Sequence, residues 1–180
     1  MGSSYKKTLI IDENNEKIEI DLKDIPFIPN KNINFILKII SNNINENIQV
    51  LKPGGDPRRD YISDLQDNTH KYIMVHSTPN SGIRYKYSSI EKESDHFGIK
   101  KIIFGETGYT NMVIDKEGTF GITSSSYGIK ITENNDFDII KKALNTNKFK
   151  LLIDSCMWSN YRIDWRLFTY LKKDFWKEFI

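Results

Sequence analysis

The feature that most constrains the fold is a series of short strand-like segments between residues 72 and 131. Isoleucine, valine, tyrosine and phenylalanine are frequent in these segments, and such residues favour the pleated surface of a sheet. Glycines separate the segments and predict tight turns between strands. The segments are residues 72–76, 83–87, 101–104, 111–115, 119–123 and 127–131, and the glycines are Gly98, Gly105, Gly108, Gly118, Gly121 and Gly128. The middle of the chain is therefore predicted to be mostly antiparallel β-sheet.

The preceding residues predict a β-hairpin and a helix. Residues 8–11 and 18–22 flank a turn-rich stretch, and the second of these segments alternates apolar with charged residues, as a strand with one wet face does. Apolar residues at helical spacing then predict a helix over residues 32–43, with Asn30 or Asn32 as its N-cap.

The last third of the chain shows helical periodicity. Asp136 precedes apolar residues spaced three or four apart, and a second amphipathic stretch runs from Asp164 to Phe179. These patterns predict the α+β fold class: an N-terminal hairpin and helix, a mostly antiparallel β middle and a helical C-terminal third. The length fits a single domain over residues 1–180, in which residues 1–5 are typical of a cloning remnant or a disordered start.

Composition predicts a soluble intracellular protein. Hydrophobic residues make up 38% of the chain and charged residues 28%, and the net charge of +2 excludes a histone-like polycation. Cys156 is the only cysteine, which excludes an internal disulfide framework and suits a reducing compartment. No apolar run is long enough for a membrane span and no secretory signal is visible, so we expect no membrane partner. Abundant Ile, Asn and Lys are typical of a low-GC bacterium or a virus. We therefore expect the protein in the cytoplasm or, if it is viral, in the host cytoplasm or the virion.

Motifs for common cofactors and metals are missing from the sequence. Neither a dinucleotide-binding glycine pattern nor a P-loop occurs, and residues 105–108 are too short a turn to cradle a phosphate. His70, His76 and His96 lack the spacing of a zinc site. Cys156 lies in a helical apolar pattern, where a small buried thiol is the usual role. We therefore expect no cofactor.

One carboxylate pattern offers an enzymatic alternative. Asp12, followed by Asp21-Leu22-Lys23, matches the nuclease arrangement of an acidic residue and a later Asp-x-Lys. Two carboxylates would hold Mg²⁺ while the lysine steadies the attacking water, and the strand period places Asp21 and Lys23 on one face. The same residues suit the wet face of a hairpin, so a Mg²⁺-dependent nuclease and a solvated surface both stay open.

The richest polar and aromatic segment, residues 76–87, favours nucleic-acid binding. It combines hydrogen-bond donors, an arginine and two tyrosines in one loop and the strand after it, a composition that suits base edges and phosphates. Residues 124–126 and 159–162 form two further polar loops, and Lys100 and Lys101 stand at the start of the strand at residues 101–104. The candidate DNA-binding residues are His76, Ser77, Asn80, Arg84, Lys86, Lys100, Lys101, Ser124, Ser125, Asn160 and Arg162.

Six blocks of the sequence carry a resemblance to a known family. In chain order they are residues 25–29 (IPFIP), 76–82 (HSTPNSG), 101–108 (KIIFGETG), 114–118 (IDKEG), 142–149 (KALNTNKF) and 158–168 (WSNYRIDWRLF). Over about residues 18–179 the chain resembles the C-terminal target-recognition domain of Taq-type adenine-N6 DNA methyltransferases and fused restriction-modification enzymes. The resemblance implies a domain that grips duplex DNA and reads its sequence, while a separate catalytic domain or subunit transfers the methyl group.

The catalytic motifs of that family are not found in this chain. The cofactor-binding glycines and the Asn/Asp-Pro-Pro-Tyr/Phe motif are both missing, so the resemblance implies no methyltransferase activity here. We therefore predict a sequence-recognising domain whose partner is double-stranded DNA, cut from a restriction-modification protein or standing alone, as in an antiviral defence system. A protein-interaction module derived from such a domain is a further alternative, since +2 is a low net charge for a DNA reader.

Overall fold

The computed structural model describes residues 7–21, 25, 29, 31–132, 136–156 and 163–180. Its strands are β1 (Lys7–Ile11), β2 (Lys17–Asp21), β3 (Val50–Leu51), β4 (Ile62–Ser63), β5 (Tyr72–Ser77), β6 (Arg84–Ser88), β7 (Lys101–Gly105), β8 (Gly108–Asp115), β9 (Gly121–Ile122) and β10 (Ser126–Lys130). Its α-helices are α1 (Ile33–Ile39), α2 (Asp136–Leu144) and α3 (Asn147–Cys156), and its 3-10 helices are Ile44–Glu46, Glu93–Asp95, Trp165–Tyr170 and Phe175–Glu178. Within these ranges, no helix has the length and apolar character needed to cross a membrane.

The described strands form two four-stranded sheets and a separate hairpin. One sheet has the order β3-β10-β7-β8 and the other the order β4-β6-β5-β9, while β1 and β2 pair where the sequence alternation predicts a hairpin. Pairing is antiparallel throughout these strands except between β5 and β9, which run parallel with Met74 opposite Gly121. The β middle of the chain is thus divided between two sheets.

Both faces of strand β7 are buried, because the strand lies between two cores. Side chains alternate across a strand, so Ile102 and Phe104 belong to the large core, which also takes in the α-helices, whereas Ile103 belongs to a smaller core. Val75 of β5, Val113 of β8 and Ile122 of β9 complete the buried residues of the smaller core, between the two sheets. The uninterrupted apolar run of β7 reflects this burial on both faces.

Aromatic rings connect the C-terminal residues to the large core. The ring centroids of Phe104 and Phe168 are 4.9 Å apart, and those of Phe104 and Tyr127 are 4.7 Å apart. Phe149 of α3 lies 6.1 Å from Phe168 and 5.2 Å from Phe179. Such pairs stabilise a core by about 0.5–1.5 kcal/mol each beyond their buried area, so this group fixes the C-terminal segment against the sheet.

The C-terminal third is not a clearly helical region, and the predicted α+β fold class is wrong. Helices α2 and α3 are short, and the stretch from Asp164 to Phe179 contains two 3-10 helices in place of the predicted amphipathic helix. Between them Leu171 is extended, with ψ 131°, and forms a β-bridge with Ile40. This long-range pairing engages backbone groups that an α-helix would use internally. The fold is mixed α/β, with more strand than helix.

Helix α1 is shorter than the predicted helix over residues 32–43 for the same reason. Ile40 is extended, with ψ 156°, because it pairs with Leu171. Asn32 precedes the helix in a left-handed conformation, with φ 58°, and its side chain makes no cap hydrogen bond. The other predicted cap, Asn30, lies outside the described residues.

Candidate nucleic-acid interface

Strand β5 leads into a loop, residues 78–83, that Thr78 attaches to the neighbouring sheet. Thr78 is fully buried, and its hydroxyl donates to Gly108 O (2.6 Å) and accepts from the Gly105 N–H (2.7 Å). A Cβ on Gly105 would lie 2.9 Å from Thr78 N, so this close approach requires glycine. One buried side chain therefore holds the base of the loop through two hydrogen bonds.

The tip of the same loop is held by β8. Asn111 Nδ2 donates to Pro79 O (2.6 Å), and Thr110 Oγ1 donates to Asn80 Oδ1 (3.3 Å). Residues 80–82 are exposed between these attachments and the start of β6. The loop thus presents polar groups to solvent from a fixed base.

The second polar loop, residues 123–126, is bonded directly to the end of β5. His76 Nδ1 lies 2.9 Å from Thr123 Oγ1, and Ser126 Oγ donates to His76 O (2.8 Å). The Thr123 N–H donates to Val75 O (3.2 Å). Two loops that the sequence analysis selected separately are therefore in contact.

Arg84 lies beside these loops, opposite Ser77 in the pairing of β5 with β6. Its side chain is exposed and has no carboxylate partner within the described parts of the chain. We call the surface formed by His76, Arg84 and residues 77–83 and 123–126 the loop surface. It holds six of the predicted DNA-binding residues: His76, Ser77, Asn80, Arg84, Ser124 and Ser125.

His76 lies among charges of both signs. Burial is the main cause that lowers the pKa of His76 from 6.5, Lys86 and Arg84 lower this pKa further, and Asp64 opposes them. The half-buried Lys86 forms an ion pair with that Asp64, so its charge is already partly neutralised. At pH 7 the His76 ring is neutral and acts as a hydrogen-bonding group, whereas acid would make it a cation.

Lys100 and Lys101 do not belong to the loop surface. Lys101 is fully buried, and its Nζ donates to Asp115 Oδ2 (2.7 Å) and to Ile99 O (2.9 Å). The ammonium is therefore a structural group, and its assignment to a DNA-binding face is wrong. Lys100 is exposed but precedes β7, about 17 Å along an extended strand from the Gly105 end that contacts the loop surface.

A loop that the sequence analysis did not assign, residues 52–60, adjoins the loop surface. Gly55 forms a parallel bridge with Thr123, and the Ser124 N–H donates to Gly55 O (2.9 Å). The loop carries Arg58 and Arg59 directly after the turn-forming run Pro-Gly-Gly-Asp-Pro. Two adjacent arginines in a chain with only five were the signal available in the sequence.

The third predicted loop, residues 159–162, lies wholly outside the described residues, and this includes Asn160 and Arg162. Ile163, where the description resumes, donates its N–H to Glu106 O (2.9 Å), in the turn between β7 and β8. A shallow cleft of about 370 Å³ lies there, lined in part by Trp165. The Glu106 N–H in turn donates to the 123–126 loop, at Ser125 O (3.3 Å), so this cleft neighbours the loop surface.

The two carboxylates of the nuclease alternative lie at opposite ends of the β1–β2 hairpin. Asp12 follows β1 at the turn, whereas Asp21 pairs with Lys7 at the other end. Five residues of extended strand separate the two levels, which is about 17 Å. One metal ion cannot bridge that distance, and Lys23 lies outside the described residues. The proposed metal pair is therefore not formed.

Asp12 instead organises the hairpin turn. Its Oδ1 accepts from the N–H groups of Asn14 and Glu16 (2.8 Å each), and its Oδ2 accepts from Asn34 Nδ2 (2.6 Å). The backbone hydrogen bond from Glu16 is the main cause that lowers the pKa of Asp12. The carboxylate is a turn-stabilising group with its oxygens already engaged.

Metal-binding and nucleophilic groups are sparse in the part of the chain that the structure describes. No cluster of three or more His, Cys, Asp or Glu side chains there could hold a metal ion. Cys156 is half-buried at the end of α3, and burial raises the pKa of Cys156 to about 12. Its sulfur is therefore a thiol at neutral pH, which does not suit a nucleophile.

No protein-family model matches the chain, and no curated protein matches it in sequence. The resemblance to methyltransferase target-recognition domains therefore stays a prediction from the six sequence blocks. Two of those blocks, residues 76–82 and 101–108, are in contact through the hydrogen bonds of Thr78.

Proposed function

We propose that this chain is a DNA-binding recognition domain that contacts duplex DNA through the loop surface. The observation that carries the proposal is the set of hydrogen bonds among His76, Thr123 and Ser126, which holds two polar loops side by side next to the exposed Arg84. Loops that are already fixed lose little conformational entropy when a ligand binds, so they suit a surface that reads a partner.

Four residues of the loop surface carry groups with counterparts on DNA. The Arg84 guanidinium matches the O6 and N7 acceptors of guanine, and the Asn80 amide matches the N6 and N7 groups of adenine. The hydroxyls of Ser77 and Ser124 suit phosphate oxygens. In this proposal the chain binds, and a separate catalytic subunit or domain carries out any chemistry on the DNA.

Selection from a pool of randomised duplexes, followed by fluorescence anisotropy on the enriched sequence, tests the proposal. Arg84→Ala is expected to weaken binding by about 1–3 kcal/mol, roughly 5- to 150-fold, because a bidentate contact with guanine contributes that much. Lys130→Ala is the matched control, since it removes a positive charge at the end of β10 away from the loop surface and should leave the affinity unchanged. A pool that shows no enrichment, with no salt-sensitive binding at low ionic strength, would contradict the proposal.

A further inference from the structure

A second concave surface lies on the side of residues 52–60 that faces the turn at residues 92–95. It is an open cleft of about 660 Å³. Asp95 is fully buried beneath it, where its carboxylate accepts from the Gly55 N–H (3.0 Å) and from the Tyr61 hydroxyl (3.3 Å). A Cβ on Gly55 would lie 2.7 Å from Asp95 Oδ1, so the packing of this floor depends on the absence of a side chain there.

The walls of the cleft carry more positive than negative charge. Its lining includes three cations, Arg58, Arg59 and Lys92, and two carboxylates, Asp56 and Asp60. Arg58 is committed to Asp56, to which its Nε donates at 2.9 Å. Lys92 Nζ lies 3.6 Å from the centre of the Tyr61 ring, which holds the ammonium at the wall without a counter-charge.

Arg59 adds a second cation to the cleft. Its side chain is exposed and forms no ion pair among the described residues, and its charge reaches Asp56 only through space, where it lowers the pKa of that carboxylate. A guanidinium fork and an ammonium facing one cleft match a tetrahedral anion with several acceptor oxygens. A neutral or cationic ligand would leave both groups without a partner.

We infer that this cleft binds a phosphate group through Arg59 and Lys92, and that the phosphate is one of the backbone phosphodiesters of the DNA that the loop surface contacts. The second half of this statement rests on the proposed function. Continuity of the backbone supports it, because Gly55 on the cleft floor is bridged to Thr123 of the loop surface. A duplex seated on the loop surface would then be anchored by charge beside the place where its bases are read.

Salt-dependent anisotropy with a short duplex tests the inference in the full chain. The double variant Arg59→Gln/Lys92→Gln is expected to reduce the slope of log K against log salt by about two units, one for each lost phosphate contact. Lys130→Gln removes a charge elsewhere and should leave the slope unchanged. Lys92→Arg keeps a positive charge at this position and should retain the slope, which ties the change in the double variant to the lost charge.

A parallel titration with deoxyadenosine monophosphate, followed by the NMR shifts of the Gly55 and Ser94 amides, identifies the source of the phosphate. If a duplex binds the wild-type chain and the double variant with the same salt slope, the inference is overturned and the proposed function is left intact. Failure of the wild-type chain to bind any duplex overturns the proposed function. The nucleotide titration then decides whether the cleft binds a phosphate group. Shifts that the double variant abolishes support a site for a free nucleotide phosphate, and no shifts overturn the site altogether.

Discussion

Replacing Lys101 by methionine tests the assignment of that residue to the core. The Nζ lies 2.7 Å from Asp115 Oδ2, and the two side chains are 0% and 1% exposed. Breaking a buried ion pair by removing one partner costs about 3–5 kcal/mol, because the other charge stays buried. Asp115 would still accept from the N–H groups of Thr119 (2.8 Å) and Phe120 (3.1 Å), so Lys101→Met should fall near the lower end, at about 3 kcal/mol.

The reverse change, Asp115→Asn, should cost more. It removes the negative charge that faces the Lys101 ammonium, which then has only neutral acceptors such as the Ile99 carbonyl. Burial already lowers the pKa of Lys101, and the ammonium can escape by losing its proton. Deprotonating a lysine of ordinary pKa 10.5 at pH 7 costs about 5 kcal/mol, which sets the upper limit for this variant. The double variant Lys101→Met/Asp115→Asn should be more stable than either single variant.

Urea unfolding followed by circular dichroism measures these differences. A loss below about 1 kcal/mol for Lys101→Met would refute the reasoning, because an exposed pair contributes only that much. Below the unfolding transition the same variant should keep the salt slope of DNA binding unchanged. A slope reduced by about one unit would show instead that Lys101 contacts a DNA phosphate.

Three further predictions concern the core and the hairpin turn. Tyr127→Phe should raise the free energy of unfolding by about 1 kcal/mol, because the buried hydroxyl has no hydrogen-bond partner among the described residues; a loss in urea titrations would contradict this. Phe168→Ala should cost about 3–5 kcal/mol, and Trp165→Ala less, because Phe168 is fully buried and Trp165 only half-buried; equal midpoint shifts would be inconsistent with this packing. Because backbone hydrogen bonds lower the pKa of Asp12, its ionised form should stabilise the fold above pH 3.8 and lose that contribution as the pH falls through the lower, folded-state pKa. Unfolding measured from pH 7 to pH 3 should show this acid dependence weakened in Asp12→Asn.

The loop surface also carries a pH-dependent prediction. Since the pKa of His76 is lowered from 6.5, the wild-type chain should bind DNA more tightly as the pH falls through that lower value, when the ring gains a positive charge. The same protonation should reduce folding stability as the pH falls below 6.5, because the unfolded chain takes up the proton first. His76→Gln should abolish both responses, and an unchanged pH profile of anisotropy in that variant would exclude His76 as their source.

Local patterns predicted what local interactions determine. The alternation of charged and apolar residues located the β1–β2 hairpin, and the apolar run at Ile102 located a buried strand. The helical periodicity around Leu171 was misleading, because a bridge with the distant Ile40 overrides it. Pairings of this kind depend on which elements meet, and no short window of sequence contains that information.

The same limit applies to the candidate site. Polar composition indicated the loops near His76 and Ser124, but the hydrogen bonds that join them span almost fifty positions of the chain. Charge alone selected Lys101, whose buried partner Asp115 becomes a neighbour only across the β7–β8 pairing. Arg59 was left unassigned, since its position beside the loop surface depends on the bridge of Gly55 with Thr123.

The hydrogen bonds of Thr78 hold the base of its loop without help from the side chains at the tip. Its two hydrogen bonds involve Gly105 and Gly108, and the hydrogen bond from Asn111 reaches only a backbone carbonyl. The side chain of Ser81 takes no part in this anchoring, whereas Gly82 has φ 129°, a conformation that favours glycine. Natural variation or laboratory randomisation at position 81 should therefore alter what the loop recognises at little cost in stability, which makes that position a natural place for specificity to diversify.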